Sequence, residues 1–235
     1  MATTTSPPRA SKGRSSSVWL KVQMAVTGLI FALFVFAHMY GNLKVLAGEQ
    51  AFNTYAEHLR TIGEPLLPYA GFLWIMRIVL IVALLVHLRA AYTLWSRANK
   101  ARSQKYAMKK VVAQSLSSKW MRWGGTFLLL FIIWHLLEFT LLKVDVSDGA
   151  TQVENPYQLV VNSFGVPWLT LLYVVAMVAL YMHLAHGVFS ACQTLGWTPT
   201  VSAYRRAAIV AHIIAGLIVV GFLIPPLAIL FGIVS

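Results

Sequence analysis

The chain is poor in acid and in cysteine: 7 of its 235 residues are Asp or Glu, against 19 Lys or Arg, and Cys192 is the sole cysteine. One cysteine excludes an internal disulfide and any iron–sulfur or zinc site built from cysteines of this chain alone. A glycine-rich dinucleotide fingerprint is also missing, so flavin or nicotinamide chemistry would have to reside on another chain. Charge of both signs is scarce, at 11%, whereas 58% of residues are hydrophobic, far more than a soluble core needs. Neither a solenoid repeat nor a separate soluble domain is visible.

What the sequence does contain is five apolar runs, near 22–40, 70–95, 123–142, 166–189 and 207–232, each close to the roughly 20 residues that cross a bilayer as a helix. The expected fold is all-α with five transmembrane helices. Residues 1–17, rich in Ser, Thr, Pro, Lys and Arg, read as a disordered basic tail, and 18–235 as the membrane domain. A basic start followed by an apolar run resembles a signal peptide, but this run is long and carries His38, so it reads as a retained first helix.

Lys and Arg collect on the cytoplasmic side of membrane proteins. Here they fall in the tail (Arg9, Lys12, Arg14, Lys21), in the second connection (Arg97, Lys100, Arg102, Lys105, Lys109, Lys110, Lys119, Arg122) and in the fourth (Arg205, Arg206). The seven acids, Glu49, Glu57, Glu64, Glu138, Asp145, Asp148 and Glu154, lie in or beside the first and third connections. The N-terminus is therefore expected in the cytoplasm and the C-terminus outside. The net charge of +12 follows from topology and forms no nucleic-acid recognition motif. The basic 97–122 loop suits a soluble partner or anionic lipid headgroups.

Four histidines, His38, His87, His135 and His183, lie one per run toward the far end of the first four runs. In an up-and-down bundle this places His38 and His135 in the outer half of the membrane and His87 and His183 in the inner half, each pair on diagonal helices. Any one of them would ordinarily be a hydrogen-bonded polar residue in the bundle. Four at two matched depths read as axial ligands of two haems in a four-helix haem-binding bundle. Zinc or copper suits the pattern less, because no Cys or carboxylate joins either pair. Gly28 and Gly125 precede the histidines of their own helices by ten residues, about 15 Å at 1.5 Å per residue, which brings them to the inner pair's depth and leaves room for a macrocycle. His186 lies one turn after His183, and spacing does not choose between them. His212 suits helix packing or a haem contact, and His58 an outer connection.

Nearly all of the chain from Trp19 onward resembles the cytochrome b subunit of succinate dehydrogenase, of the b558 type with five helices and two haems. The carriers are "FVFAHMYGNLKV" around His38, "YAEHLRTIGEPLLPYAGFLWIMRIVLIVALLVHLRAAY" through His87, "FIIWHLLEF" around His135 and "YMHLAHGVFSA" around His183. The resemblance implies that His38 pairs with His135 and His87 with His183, all four on haem iron, since the family's ligand stands four residues before the glycine that here is Gly187. His186 then becomes a neighbour of the ligand or of a propionate. It also implies flavoprotein and iron–sulfur partner subunits on the cytoplasmic face, two haem b groups, a quinone acceptor, commonly menaquinone, and a bacterial plasma membrane. The chain would then be an electron-transfer subunit that does not oxidise succinate alone.

Quinone reduction consumes protons, and the outer group Glu57, His58, Arg60 and Glu64, with Glu138 one turn past His135, is the expected place for donors. Arg77, inside the second run, calls for an anion such as a propionate or Glu138, or else for snorkelling to the outer interface. Alternatives are the anchor of a fumarate reductase, the cytochrome b of another membrane oxidoreductase, and a haem-free anchor or transporter.

Overall fold

A backbone in lipid has only its own carbonyls to bond, so apolar runs of this length close into helices. The computed structural model describes residues 16–101, 112–146 and 155–235. Most of the basic tail, the centre of the 97–122 loop, Asp148 and Glu154 lie outside the described residues. Among the described residues there are seven α-helices and no strand. They are α1 (Ser17–Leu43), α2 (Glu49–Thr61), α3 (Gly71–Lys100), α4 (Val112–Phe139), α5 (Pro156–Phe164), α6 (Pro167–Thr194) and α7 (Val201–Leu230).

Five of these, α1, α3, α4, α6 and α7, are long and apolar enough to cross a membrane. They have 27 to 30 residues, about 40–45 Å at 1.5 Å per residue, so they outrun both the hydrocarbon layer and the apolar runs of the sequence. Their polar extensions continue the helix into the interface. Side-chain caps fix several starts: Ser16 accepts from the Trp19 amide and Thr200 from the Ala203 amide, and Asn155 accepts from the Gln158 amide ahead of Pro156.

The helices alternate in direction between two ends. Lys21, Arg97, Lys100, Lys119, Arg122, Arg205 and Arg206 lie toward the basic end, where α1, α4 and α7 begin. At the acidic end lie Glu49, Glu57, Glu64 and Asp145, together with the two shorter helices α2 and α5. The core is centred on α6, which packs on α1, α4 and α7, while α1 also packs on α3 and α7. Small residues let these helices approach: Ala185 and Ala191 of α6 and Ala211 and Ala215 of α7 are buried. Gly221 of α7 lies so close to Met39 of α1 that a Cβ there would displace the methionine side chain. Large apolar side chains on α3, among them Ile78, Val82 and Leu85, are exposed, as a lipid-facing surface requires.

In the sequence α2 reads only as a polar connection. The structure makes it a helix clasped to α5: Asn155 Nδ2 donates to Glu49 Oε1 at 2.7 Å, and the Tyr157 amide donates to Asn53 Oδ1 at 3.2 Å. On its other side Tyr55 presses on α1 at Gly41, with the ring 2.9 Å from where a Cβ would stand. A methyl group there must push the ring, and α2 with it, at a cost of about 1–3 kcal/mol. Gly41→Ala should therefore lower the thermal midpoint of the purified protein by several degrees; an unchanged melting curve would mean that α2 is not held at this contact.

Candidate functional site

The alternation of helix direction brings four histidines into two facing pairs. His38 of α1 and His135 of α4 stand with ring centres 5.9 Å apart and planes at 76°. His87 of α3 and His183 of α6 stand 6.3 Å apart at 55°. The first pair is toward the acidic end and the second toward the basic end, as the helix directions dictate. Two imidazoles that share one metal ion, each through a nitrogen at about 2 Å, have ring centres about 6 Å apart. Both spacings match that arrangement. Among the described residues no three His, Cys, Asp or Glu side chains converge as a metal site. Each pair brings together two imidazoles from different helices, a donor set that could hold a haem iron.

The hydrogen bonds behind the rings assign their tautomers. Thr27 donates its hydrogen to the Gln23 carbonyl at 2.7 Å, so at 3.0 Å from His87 Nδ1 its oxygen accepts. Tyr173 donates to Glu138 Oε2 at 3.0 Å, so its oxygen accepts from His135 Nδ1, also at 3.0 Å. In both histidines Nδ1 then carries the proton and Nε2 keeps its lone pair for a metal. His183 Nδ1 is buried without a hydrogen-bond partner among the described residues. Aromatic rings hold the imidazoles in place: Phe34 stacks on His38 at 5.4 Å, Phe139 lies 5.4 Å from His135, and Phe31 meets His87 edge-on at 6.1 Å.

Both glycines singled out in the sequence adjoin the basic-end pair. A Cβ at Gly28 would stand 3.7 Å from His87 Cε1, and one at Gly125 only 3.2 Å from His183 Cε1. His183, not His186, faces His87; His186 is exposed one turn on. His212 belongs to neither pair, being exposed with its Nδ1 3.0 Å from the Tyr181 hydroxyl.

Of the acidic-end group, Glu57 and Arg60 approach at 3.9 Å and the Tyr69 hydroxyl donates to Glu57 Oε2 at 3.1 Å. Desolvation, with the bond and charge of Glu57, pushes the Tyr69 phenol above its ordinary pKa and keeps it protonated as a hydrogen-bond donor to Glu57. His58 and Glu64 are exposed nearby, on α2 and the turn that follows. Arg77 does not reach Glu138. It is exposed, its guanidinium 5.0 Å from the Trp74 ring of the same helix, and Glu138 Oε2 is met by Trp134 Nε1 and the Tyr173 hydroxyl, each at 3.0 Å. This is the outward-reaching arrangement of an interfacial arginine.

Thr27 and Tyr173 escaped the sequence reading. Each is one hydroxyl in an apolar run, and its partner is 60 or 38 residues away, so only the packing of α1 on α3 and of α4 on α6 makes the link visible.

The sequence matches the family model described as succinate dehydrogenase/fumarate reductase transmembrane subunit over residues 96–230, more than half of the chain. No curated protein and no solved structure matches it. The matched span includes the whole of α4, α5, α6 and α7, and with them His135 and His183. Five apolar helices make a multi-pass membrane protein, and the chain belongs to the succinate dehydrogenase/fumarate reductase transmembrane subunit family.

Proposed function

We propose that the chain is the cytochrome b subunit of a succinate:quinone oxidoreductase, with one haem b held by His38 and His135 and a second by His87 and His183. The observation that carries this reading is the facing of two imidazole pairs at 5.9 and 6.3 Å. Haem iron held between the two histidines of a pair would supply one-electron transfer. The chain's residues do the rest. Thr27 and Tyr173 fix the ligand tautomers, and the flanking phenylalanines exclude water and prevent the rings from turning.

Flavoprotein and iron–sulfur subunits would dock at the basic end, where Lys100, Arg205 and Arg206 are exposed. Retention of Lys and Arg on the cytoplasmic side supports placing this end in the cytoplasm of a bacterial plasma membrane. The acidic end then holds the quinone, menaquinone being the expected species, with Glu57, Arg60 and Tyr69 as the hydrogen-bonded group that moves protons, and Glu64 and His58 giving access to water. The same residues serve electron flow from quinol to fumarate; partner subunits and quinone potential set the direction.

An intact preparation should contain two haems per chain, and one or none would overturn the reading. Replacing His87 or His183 with Leu should remove one haem, whereas His186→Leu should retain both. Gly125→Ala, which crowds the His183 ring, should lower occupancy of the basic-end site or shift its spectrum.

For the quinone site, Glu57→Gln combined with Glu64→Gln should slow quinone reduction by about 10- to 100-fold. Both haem spectra and succinate oxidation with a soluble artificial acceptor should be preserved. Unchanged quinone turnover would move the site away from α2.

Orientation is tested by cysteine at Lys100 in a Cys192→Ser background. An impermeant thiol reagent should label it in inside-out vesicles stripped of soluble subunits, and labelling from outside intact cells would invert the topology.

A further inference from the structure

We infer that Glu138, acting through Tyr173, is a positioning residue that lowers the reduction potential of the acidic-end haem; the inference rests on the haem reading above. Glu138 is 1% exposed, on a helix that crosses the membrane. A carboxylate at such a place needs compensation. Two neutral donors, Trp134 Nε1 and the Tyr173 hydroxyl, meet its Oε2 at 3.0 Å, while its Oε1 is buried without a hydrogen-bond partner among the described residues.

The chain does not end at Tyr173. Its ring is held by Phe131 and Phe164, each with ring centres 4.9 Å away, and by Phe139 at 6.1 Å, so the hydroxyl cannot swing aside. Its hydrogen goes to the carboxylate, and its oxygen, made more negative by that bond, takes the Nδ1 proton of His135 at 3.0 Å. Hydrogen bonding of this kind makes an imidazole a stronger electron donor, which stabilises oxidised iron more than reduced iron. The basic-end pair is wired differently. His87 is bonded to Thr27, whose hydrogen goes to a neutral backbone carbonyl. A buried carboxyl group therefore bears on one site, through a tyrosine, and a backbone carbonyl on the other, through a threonine.

The test is a redox titration of the haem spectrum in the intact complex, with haem counted per chain, for Glu138→Gln, Tyr173→Phe and the double variant. Gln keeps the shape and an acceptor oxygen but not the charge; Phe keeps the ring and its packing but breaks the link. Each single variant should retain two haems and raise the same one of the two midpoints. The expected size is about tenfold in the oxidation equilibrium, about 59 mV for one electron. The double variant should move that midpoint no further than the larger single shift, because both changes cut one path.

Two haems with both midpoints unmoved in Glu138→Gln would overturn the inference, as would a shift in Glu138→Gln that is undiminished in the Tyr173→Phe background. If one variant loses a haem, the other single variant still decides by its midpoint. Failure of the haem reading itself is distinct, since the wild-type complex would then lack two titrating haems.

Discussion

An imidazole on a lipid-spanning helix has two ring nitrogens to satisfy and no water to satisfy them. The rest of this structure depends on that constraint. For His87 and His135 the Nδ1 side is bonded by a hydroxyl from the adjacent packed helix, which leaves Nε2 to face across the bundle. A hydroxyl bond at 3.0 Å tolerates little rotation. Thr27 thereby fixes the roll of α3 against α1, and Tyr173 the roll of α4 against α6. Helices that differ widely in how much surface they bury are held in register by two polar contacts.

Close packing supplies what those contacts do not. In lipid there is no hydrophobic drive between helices, so they associate through dispersion at short range, and small residues set how short. α6 and α7 meet through Ala185, Ala211 and Ala215, and Gly221 of α7 receives Met39 of α1. α7 carries no member of either pair. It bears on them all the same, because Met39 adjoins His38 in the chain and Phe222 lies 5.7 Å from the His38 ring. The buried Pro225 and Pro226 lie one turn beyond. They leave the Gly221 and Phe222 carbonyls without their usual amide partners, a departure tolerated near the end of the helix, where α7 reaches the interface.

Much of the scaffold was legible in the sequence. Runs of apolar residues are long, and their direction alternates by necessity, so five helices, and two pairs of histidine-bearing helices at two depths, follow from the order and spacing of the runs. Spacing does not choose between His183 and His186, which share nearly one face; the facing of His183 toward His87 does. The helical state of α2 was passed over because its apolar face, Phe52, Tyr55, Ala56 and Leu59, is far shorter than a bilayer crossing, and what orders it is the clasp to α5 about 100 residues on. For Arg77 the sequence left two readings open, because it shows that a charge lies within an apolar run but not which way it points; Trp74, one turn back, offers its ring to the guanidinium at 5.0 Å. The carboxylate of Glu138 was noticed, but its connection to His135 was hidden, since it passes through a tyrosine on another helix.

The two ends of the bundle are built for different contacts. At the acidic end α2 and α5 are bonded to each other, and Tyr157 donates to the Ser235 carbonyl at 3.2 Å, so the chain's last residue is tied into the same clasp. These bonds tie α2 to α5, with the Glu57, Arg60 and Tyr69 group beside them. At the basic end some cations are held, Arg97 by the Ser17 hydroxyl at 3.0 Å and Arg122 over the Trp95 ring at 5.7 Å, whereas Lys100, Arg205 and Arg206 are exposed. Exposed cations on helix ends act at long range on an acidic protein surface and on anionic headgroups alike. The proposed reading accordingly sets a soluble partner at the basic end and a small molecule arriving through the membrane at the acidic one, with the two histidine pairs between them.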